Sequence, residues 1–199
     1  MNSNKPVGIA IFASGTGSNA LKIIEHFSGH NSIEVKAVIC NRPDAGVLRH
    51  AYANHIPGLV ITKRILNNKD WTLRQLRSLE VDRIVLAGFL LLIPAYLVES
   101  YPDRIVNIHP ALLPKYGGKG MYGMHVHQAV KDAGDTETGI TIHEVNELYD
   151  EGQTLFQART PIDVTDTPEA IAQKVHGLEH KWYPEIIERW ISGDSIDPA

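Results

Sequence analysis

Asn107 and His109 stand two residues apart in the stretch Arg104-Ile-Val-Asn107-Ile-His109-Pro110-Ala-Leu-Leu113-Pro114-Lys115. The stretch opens with the pattern of a short strand. On a strand, residues i and i+2 point to the same face, so an amide and an imidazole arrive side by side. Pro110 has no N–H to give and ends the ladder. An amide N–H can hold an oxygen on which negative charge develops, and an imidazole can move a proton near neutral pH. The pair therefore fits acyl transfer at a carbonyl, with a plain polar strand end as the bland alternative. His143 and the loop Leu148-Tyr-Asp150-Glu-Gly152 offer a second imidazole and a carboxylate to the same sheet edge. Asp150 is the first-choice acid and Glu151 its local rival. A carboxylate beside His109 is expected to favour the imidazolium and raise its pKa.

A second chemical signal is Ser14-Gly15-Thr16-Gly17-Ser18-Asn19, directly after an apolar run and before a helical pattern. Backbone N–H groups at a helix N-terminus, with glycines that admit a close ligand, make an anion site, and Ser18 and Asn19 add side-chain donors. A tight turn alone would look similar. Gly15, Gly17 and Ala20 can be laid on a dinucleotide fingerprint, but the second strand ends Ile39-Cys40-Asn41 where an acid is needed for the ribose. No Walker lysine is present, so a single phosphate fits better than a pyrophosphate.

The elements that must position these groups follow from periodicity. Val7–Ala13, Ile33–Cys40, Leu59–Ile61, Arg83–Ala87 and Arg104–His109 read as strands separated by helical patterns. One of those helices is expected to bury Leu48, Ala51 and Tyr52, and another to start at Asn67–Asp70. Pro94 is expected to open a short helix. Pro114–Gly123 reads as a loop, His127–Ala133 as a helix ended by Gly134. Thr138–Val145 and Thr154–Pro161 read as the last strands, close enough in sequence to pair antiparallel. A long final helix starts around Asp166-Thr-Pro168-Glu169, and Pro184 is expected to kink or split it. The expected fold is α/β: a single-domain, Rossmann-like open twisted sheet, mostly parallel, with an antiparallel last strand and a long C-terminal helix.

Composition narrows the classes. Net charge is 19 − 23 = −4, and no long basic run points to nucleic acid. One cysteine, Cys40, excludes an internal disulfide framework and fits a reducing compartment. Met1–Pro6 is polar and Val7–Ala13 too short for a leader. Gly88 and Pro94 interrupt the apolar Val85–Tyr96 run, so no membrane span is expected. His125-x-His127 is the one close histidine pair, and it lacks the partners of a metal site. The expectation is a cytoplasmic protein without metal; oligomeric state is not legible.

Taken in order, Ser14-Gly-Thr-Gly-Ser-Asn19, Ala87-Gly-Phe89, Asn107-Ile-His-Pro-Ala-Leu-Leu-Pro-Lys-Tyr116, Gly139-Ile-Thr-Ile-His143, Leu148-Tyr-Asp150-Glu-Gly and Glu179-His-Lys-Trp-Tyr-Pro184 resemble the folate-dependent phosphoribosylglycinamide formyltransferase family. The resemblance covers nearly the whole chain. It implies transfer of a formyl group from 10-formyltetrahydrofolate, as co-substrate, to the amine of phosphoribosylglycinamide in de novo purine synthesis. It implies that Gly17, Ser18 and Asn19 hold the substrate phosphate and that Glu179 accepts from the ribose hydroxyls. Leu90, Leu91, Leu92 and Ile93 would line the pterin pocket, with Lys69 a cation near the folate. Asn107, also a cofactor contact, would act with His109 and Asp150 in catalysis, supported by His143. The single formyltransferase-like domain, 1–199, is then expected to divide into a phosphate- and substrate-binding half, 1–100, and a catalytic and folate-binding half, 101–199.

Two departures from the family pattern stand out. Gly117–Met124 is longer than the usual link to the His-x-His segment and is expected to act as a lid. Leu91 stands where family members often carry Arg, which weakens the expected hold on the folate tail. A tRNA-formylating relative or a formyltetrahydrofolate hydrolase would be expected to carry a further domain. The rivals from other classes are a nicotinamide oxidoreductase using the Gly15 turn and a non-catalytic phosphosugar binder.

Overall fold

Val7–Ala13 (β1) is apolar throughout, and from Ile9 onward it is wholly buried. A strand hidden on both faces needs strand neighbours on both edges and helices above and below. In the computed structural model, which describes residues 5–196, β1 pairs in parallel with Ile33–Cys40 (β2) on one side and Arg83–Leu86 (β4) on the other. The polar opening read above lies mostly outside the described residues. Gly58–Val60 (β3) extends β2 in parallel. With Ile105–His109 (β5), Glu137–Glu144 (β6) and Thr154–Pro161 (β7), the strands form one seven-stranded sheet in the order β3-β2-β1-β4-β5-β6-β7. Strand order reverses between β1 and β4, a topological switch point. β6 and β7 run antiparallel, with a register shift between Ile142 and His143. The chain has the expected α/β fold: mostly parallel, antiparallel at its end and closed by a long helix.

The helices are Ser18–His26 (α1), Val47–Ala53 (α2), Lys63–Leu66 (α3), Lys69–Ser78 (α4), Ala95–Ser100 (α5), Met124–Ala133 (α6) and Pro168–Ser192 (α7). Asn68 caps α4 by accepting from the Trp71 N–H, and Thr167 caps α7 by accepting from the Ala170 N–H. Packing divides the chain into a compact unit ending at Val106 and another beginning at Asn107, so the division runs through β5. In the second unit, α7 packs on α6, β6 and β7.

Three expectations need correction, and one element is additional. Tyr52 does not join the buried side of α2 but is 86% exposed. Val47 and Ala51, four residues apart, fill the single inward stripe of this short helix, and the next residue turns outward. The short helix α3 was not anticipated; four residues are too few for periodicity to register. Helix α6 starts at Met124 rather than His127. Finally, of the two outcomes expected at Pro184, the split does not occur: α7 runs as one helix through it. The missing rung costs about 3 kcal/mol in an isolated helix. Here Tyr183, Pro184, Ile186 and Ile187 are all buried, and that packing outweighs the loss.

His127 lies on the buried side of α6, only 2% exposed, and its Nδ1 has no hydrogen-bond partner. Burial, reinforced by His176 and His109, lowers its pKa from 6.5 to about 4. The unfolded chain therefore takes up this proton at higher pH than the folded one, so stability is full above pH 6.5 and declines as pH falls toward 4. Urea unfolding at pH 7.5 and pH 5 should show a lower midpoint at the acid value in the wild type and a smaller difference in His127→Leu. Equal pH dependence in the two proteins would contradict this assignment.

Candidate active site

β5 delivers Asn107 and His109 to one face, as their two-residue spacing requires. Around them the second unit gathers the other polar groups. Asn107 Nδ2 donates to His143 Nε2 at 3.1 Å, and His143 Nδ1 donates to the Glu144 carbonyl at 2.8 Å. Asp150 Oδ2 lies 3.5 Å from His109 Nδ1, and its Oδ1 lies 3.6 Å from His143 Nε2. His143 sits at the shifted register of β6, where an irregular ladder re-aims a side chain. Glu151 is exposed, so Asp150 is the carboxylate of this cluster.

The loop carrying Asp150 is held tightly. A Cβ at Gly152 would lie 1.7 Å from the Glu144 carbonyl oxygen, so the chain can turn back here only at glycine. The Glu144 N–H bonds to the Gln153 carbonyl at 2.9 Å. Asp150 itself has φ +56° and Tyr116 φ +57°. Left-handed backbone at such residues costs about 1–3 kcal/mol each and persists only where the surroundings over-determine it. At Asp150 part of that determination is the Gly118 N–H, which donates to Oδ2 at 2.9 Å.

His109 is 4% exposed, and its Nε2–H donates to the Tyr116 carbonyl at 2.7 Å. Burial lowers its pKa below the ordinary histidine value, although Asp150 and the Tyr116 carbonyl pull upward. The expectation of a resting imidazolium is thus corrected: Asp150 acts in the expected direction, but desolvation wins. For Asp150 burial is again the largest influence and pushes upward. The hydrogen bond from His143, the electrostatic attraction of His109 when protonated and the Gly118 N–H together outweigh it and hold the carboxyl below its usual range. The resting cluster therefore sets an ionised Asp150 against a His109 ring that burial holds toward its neutral form.

Several positioning groups were not found from sequence. Thr141 Oγ1 donates to the Ala111 carbonyl at 2.7 Å and accepts from the Leu113 N–H at 2.9 Å. Gln157 Nε2 donates to the Leu113 carbonyl at 3.0 Å. These bonds pin the chain just after His109. Thr141 lies in the Gly139–His143 motif quoted above, but nothing in the sequence marks Gln157 or the Tyr116 carbonyl.

In the first unit, Gly17 is the N-cap of α1, with φ +84° and no side-chain cap. No side chain caps the N-terminus of α1, and no acid occupies its first turn. Gly17 has a packing reason as well, since a Cβ there would come within 2.6 Å of the Val47 side chain. Ser14 does not serve this turn. Its Oγ accepts from the Leu90 N–H at 2.9 Å, and its N–H donates to the Gly88 carbonyl. That N–H of Leu90 is therefore already used, which leaves fewer backbone groups in Leu90–Ile93 to read a ligand. Leu90 and Leu92 are exposed, Leu91 is half-buried and the Ile93 side chain belongs to the core. Lys69 is exposed at the start of α4. Tyr96 Oη donates to the Leu66 carbonyl and ties the turn before α4 to the segment after β4. Glu179 is buried on α7, 3.9 Å from His176. Among the described residues, no group of three or more side chains could hold a metal ion.

Comparison with known proteins gives a consistent answer. The family model described as formyl transferase matches residues 7–187. A relative from Arabidopsis thaliana named phosphoribosylglycinamide formyltransferase, chloroplastic, is 44% identical over 90% of this chain. One from Bacillus subtilis named phosphoribosylglycinamide formyltransferase is 39% identical over 90% of this chain and 92% of its own length. The chain spans 63% and 59% of the lengths of the two plant relatives it matches. The crystal structure of phosphoribosylglycinamide formyltransferase from Brucella melitensis superposes with a TM-score of 0.84 at 35% identity, covering 95% of this chain and 97% of that one. A match over residues 7–187 and a well-covered 39% identical relative leave one conclusion: the chain belongs to the formyl transferase family, alongside members named phosphoribosylglycinamide formyltransferase.

Proposed function

We propose that this protein transfers the formyl group of 10-formyltetrahydrofolate to the glycinamide amine of 5'-phosphoribosylglycinamide, a step of de novo purine synthesis leading to IMP. The observation that carries the reading is the cluster of Asn107, His109, His143 and Asp150 in a chain of this family. A folate-derived formyl donor follows from the family, and the names of the relatives point to the acceptor.

In this reading the substrate amine attacks the formyl carbon directly. The second Nδ2–H of Asn107, whose first is engaged by His143, and the Nδ1 edge of His109 face the oxygen that becomes negative. The proton that the adding amine releases passes first to His109 Nδ1, so the imidazole, neutral at rest, is charged while the oxyanion exists and gives the same proton up as it collapses. Asp150, ionised and held by the Gly118 N–H, orders the water through which that one proton moves from the amine, by way of His109, to the folate nitrogen. The C–N bond to the folate then breaks and tetrahydrofolate leaves. His143 fixes the Asn107 amide. The α1 N-terminus with Gly17, Ser18 and Asn19 takes the phosphate, and Glu179 accepts from the ribose. Exposed Leu90 and Leu92, with Leu91 and the Ile93 backbone, suit a flat heteroaromatic ring, and Lys69 suits the glutamate tail. No resident metal is needed for this route, and its partners are the two small-molecule substrates, with no nucleic acid or membrane. The phosphate turn lies before residue 100 and the reacting cluster after it, in one catalytic domain. A reducing, cytoplasmic setting completes the proposal.

Formyl transfer assayed on Asn107→Ala, His109→Ala and Asp150→Ala should fall by at least about 100- to 1,000-fold with circular dichroism unchanged, the loss typical of polarising donors. Glu151→Ala should stay close to wild type, and full activity in Asp150→Ala would remove the assigned acid. Because Asp150 raises the pKa of His109, Asp150→Asn should move that pKa further down in an NMR titration, and an upward move would reverse the assignment. Ser18→Asp puts an acid in the first turn of α1, which suits the helix dipole but repels a phosphate. It should raise the KM for the ribonucleotide more than about tenfold at unchanged thermal stability; an unchanged KM would end the phosphate assignment.

A further inference from the structure

The Tyr116 carbonyl that holds His109 does not sit on regular structure. Residues 115–116 follow the Thr141-pinned segment and enter the long loop, with Tyr116 in the left-handed region. A single side chain reaches both of them from outside: Asp135, in the turn between α6 and β6. Asp135 Oδ2 accepts from Tyr116 Oη at 2.8 Å and meets Lys115 Nζ at 3.2 Å. The lysine is largely exposed, and such a pair contributes little. The tyrosine bond has an ionised acceptor and is the stronger of the two. Because the ring and the carbonyl belong to one residue, anchoring the ring limits where the carbonyl can point.

We infer that Asp135 is a positioning residue for His109, acting through Tyr116 to set which ring nitrogen carries the proton. A neutral imidazole has one N–H, and His109 faces two groups that only accept: the Tyr116 carbonyl at 2.7 Å from Nε2 and the Asp150 carboxylate at 3.5 Å from Nδ1. The shorter contact wins the proton. Nδ1 is thereby left bare and turned toward Asp150, ready to take the proton that the adding amine releases. Should the Tyr116 carbonyl drift, the proton moves to Nδ1 and is bound there by Asp150, and the ring loses its poise. The catalytic part of this inference rests on the formyl-transfer reading; the tautomer part does not.

The test is ¹⁵N NMR of the His109 ring in the full chain, beside steady-state formyl transfer. Wild type should show a protonated Nε2 and a bare Nδ1. Tyr116→Phe and Asp135→Ala should shift the proton toward Nδ1 and lower kcat about tenfold, the worth of one hydrogen bond, with both KM values within about twofold. Asp135→Asn, which can still accept from the tyrosine, should restore both. An unchanged tautomer in Tyr116→Phe and Asp135→Ala overturns the inference, as does a shifted tautomer with wild-type kcat. A wild type that shows the tautomer shift on mutation but no formyl transfer overturns the proposed function instead and leaves the Asp135–Tyr116–His109 relay standing.

Discussion

A buried imidazole with an acceptor at each end organises the second unit. His109 cannot be charged cheaply at 4% exposure, yet it is set between a carbonyl and a carboxylate, both of which invite a proton. In that competition burial prevails, and the ring's pKa lies below the ordinary histidine value. Much of the local structure serves to keep that balance. Thr141 and Gln157 pin the chain after β5, Gly152 closes the Asp150 loop, and Tyr116 and Asp150 accept left-handed backbone.

The same economy runs through the polar network. The Asn107 amide is oriented by His143, whose other nitrogen is spent on the neighbouring Glu144 carbonyl. Asp150 keeps its charge in a half-dry setting because it collects the Gly118 N–H and stands beside two imidazoles. Each group's state depends on a partner supplied by a different element, so single deletions here should not be additive.

In the first unit, one stretch answers to packing and chemistry together. Gly17 opens α1 without a side-chain cap, which suits an anion, and also gives way to Val47, which suits the fold. A glycine in a ligand loop is thus not evidence of a ligand by itself. Ser14 carries the same lesson, since a residue adjacent to the anion turn is spent on tying Leu90.

Hydrophobic period and turn residues were enough to read the strands, the order of elements and the antiparallel end, because these depend on neighbours a few residues away. The two-residue spacing of Asn107 and His109 likewise made their shared face legible from sequence. Tyr52, α3 and the unbroken helix at Pro184 were not legible, since burial and packing decided them. Nor could the sequence say whether His109 rests charged. Protonation depends on how much water is excluded and on which acceptors close in from residues 7 and 41 positions away. Local pattern determined the parts and their chemical types; only the tertiary structure, by removing solvent and setting distances, decided their states.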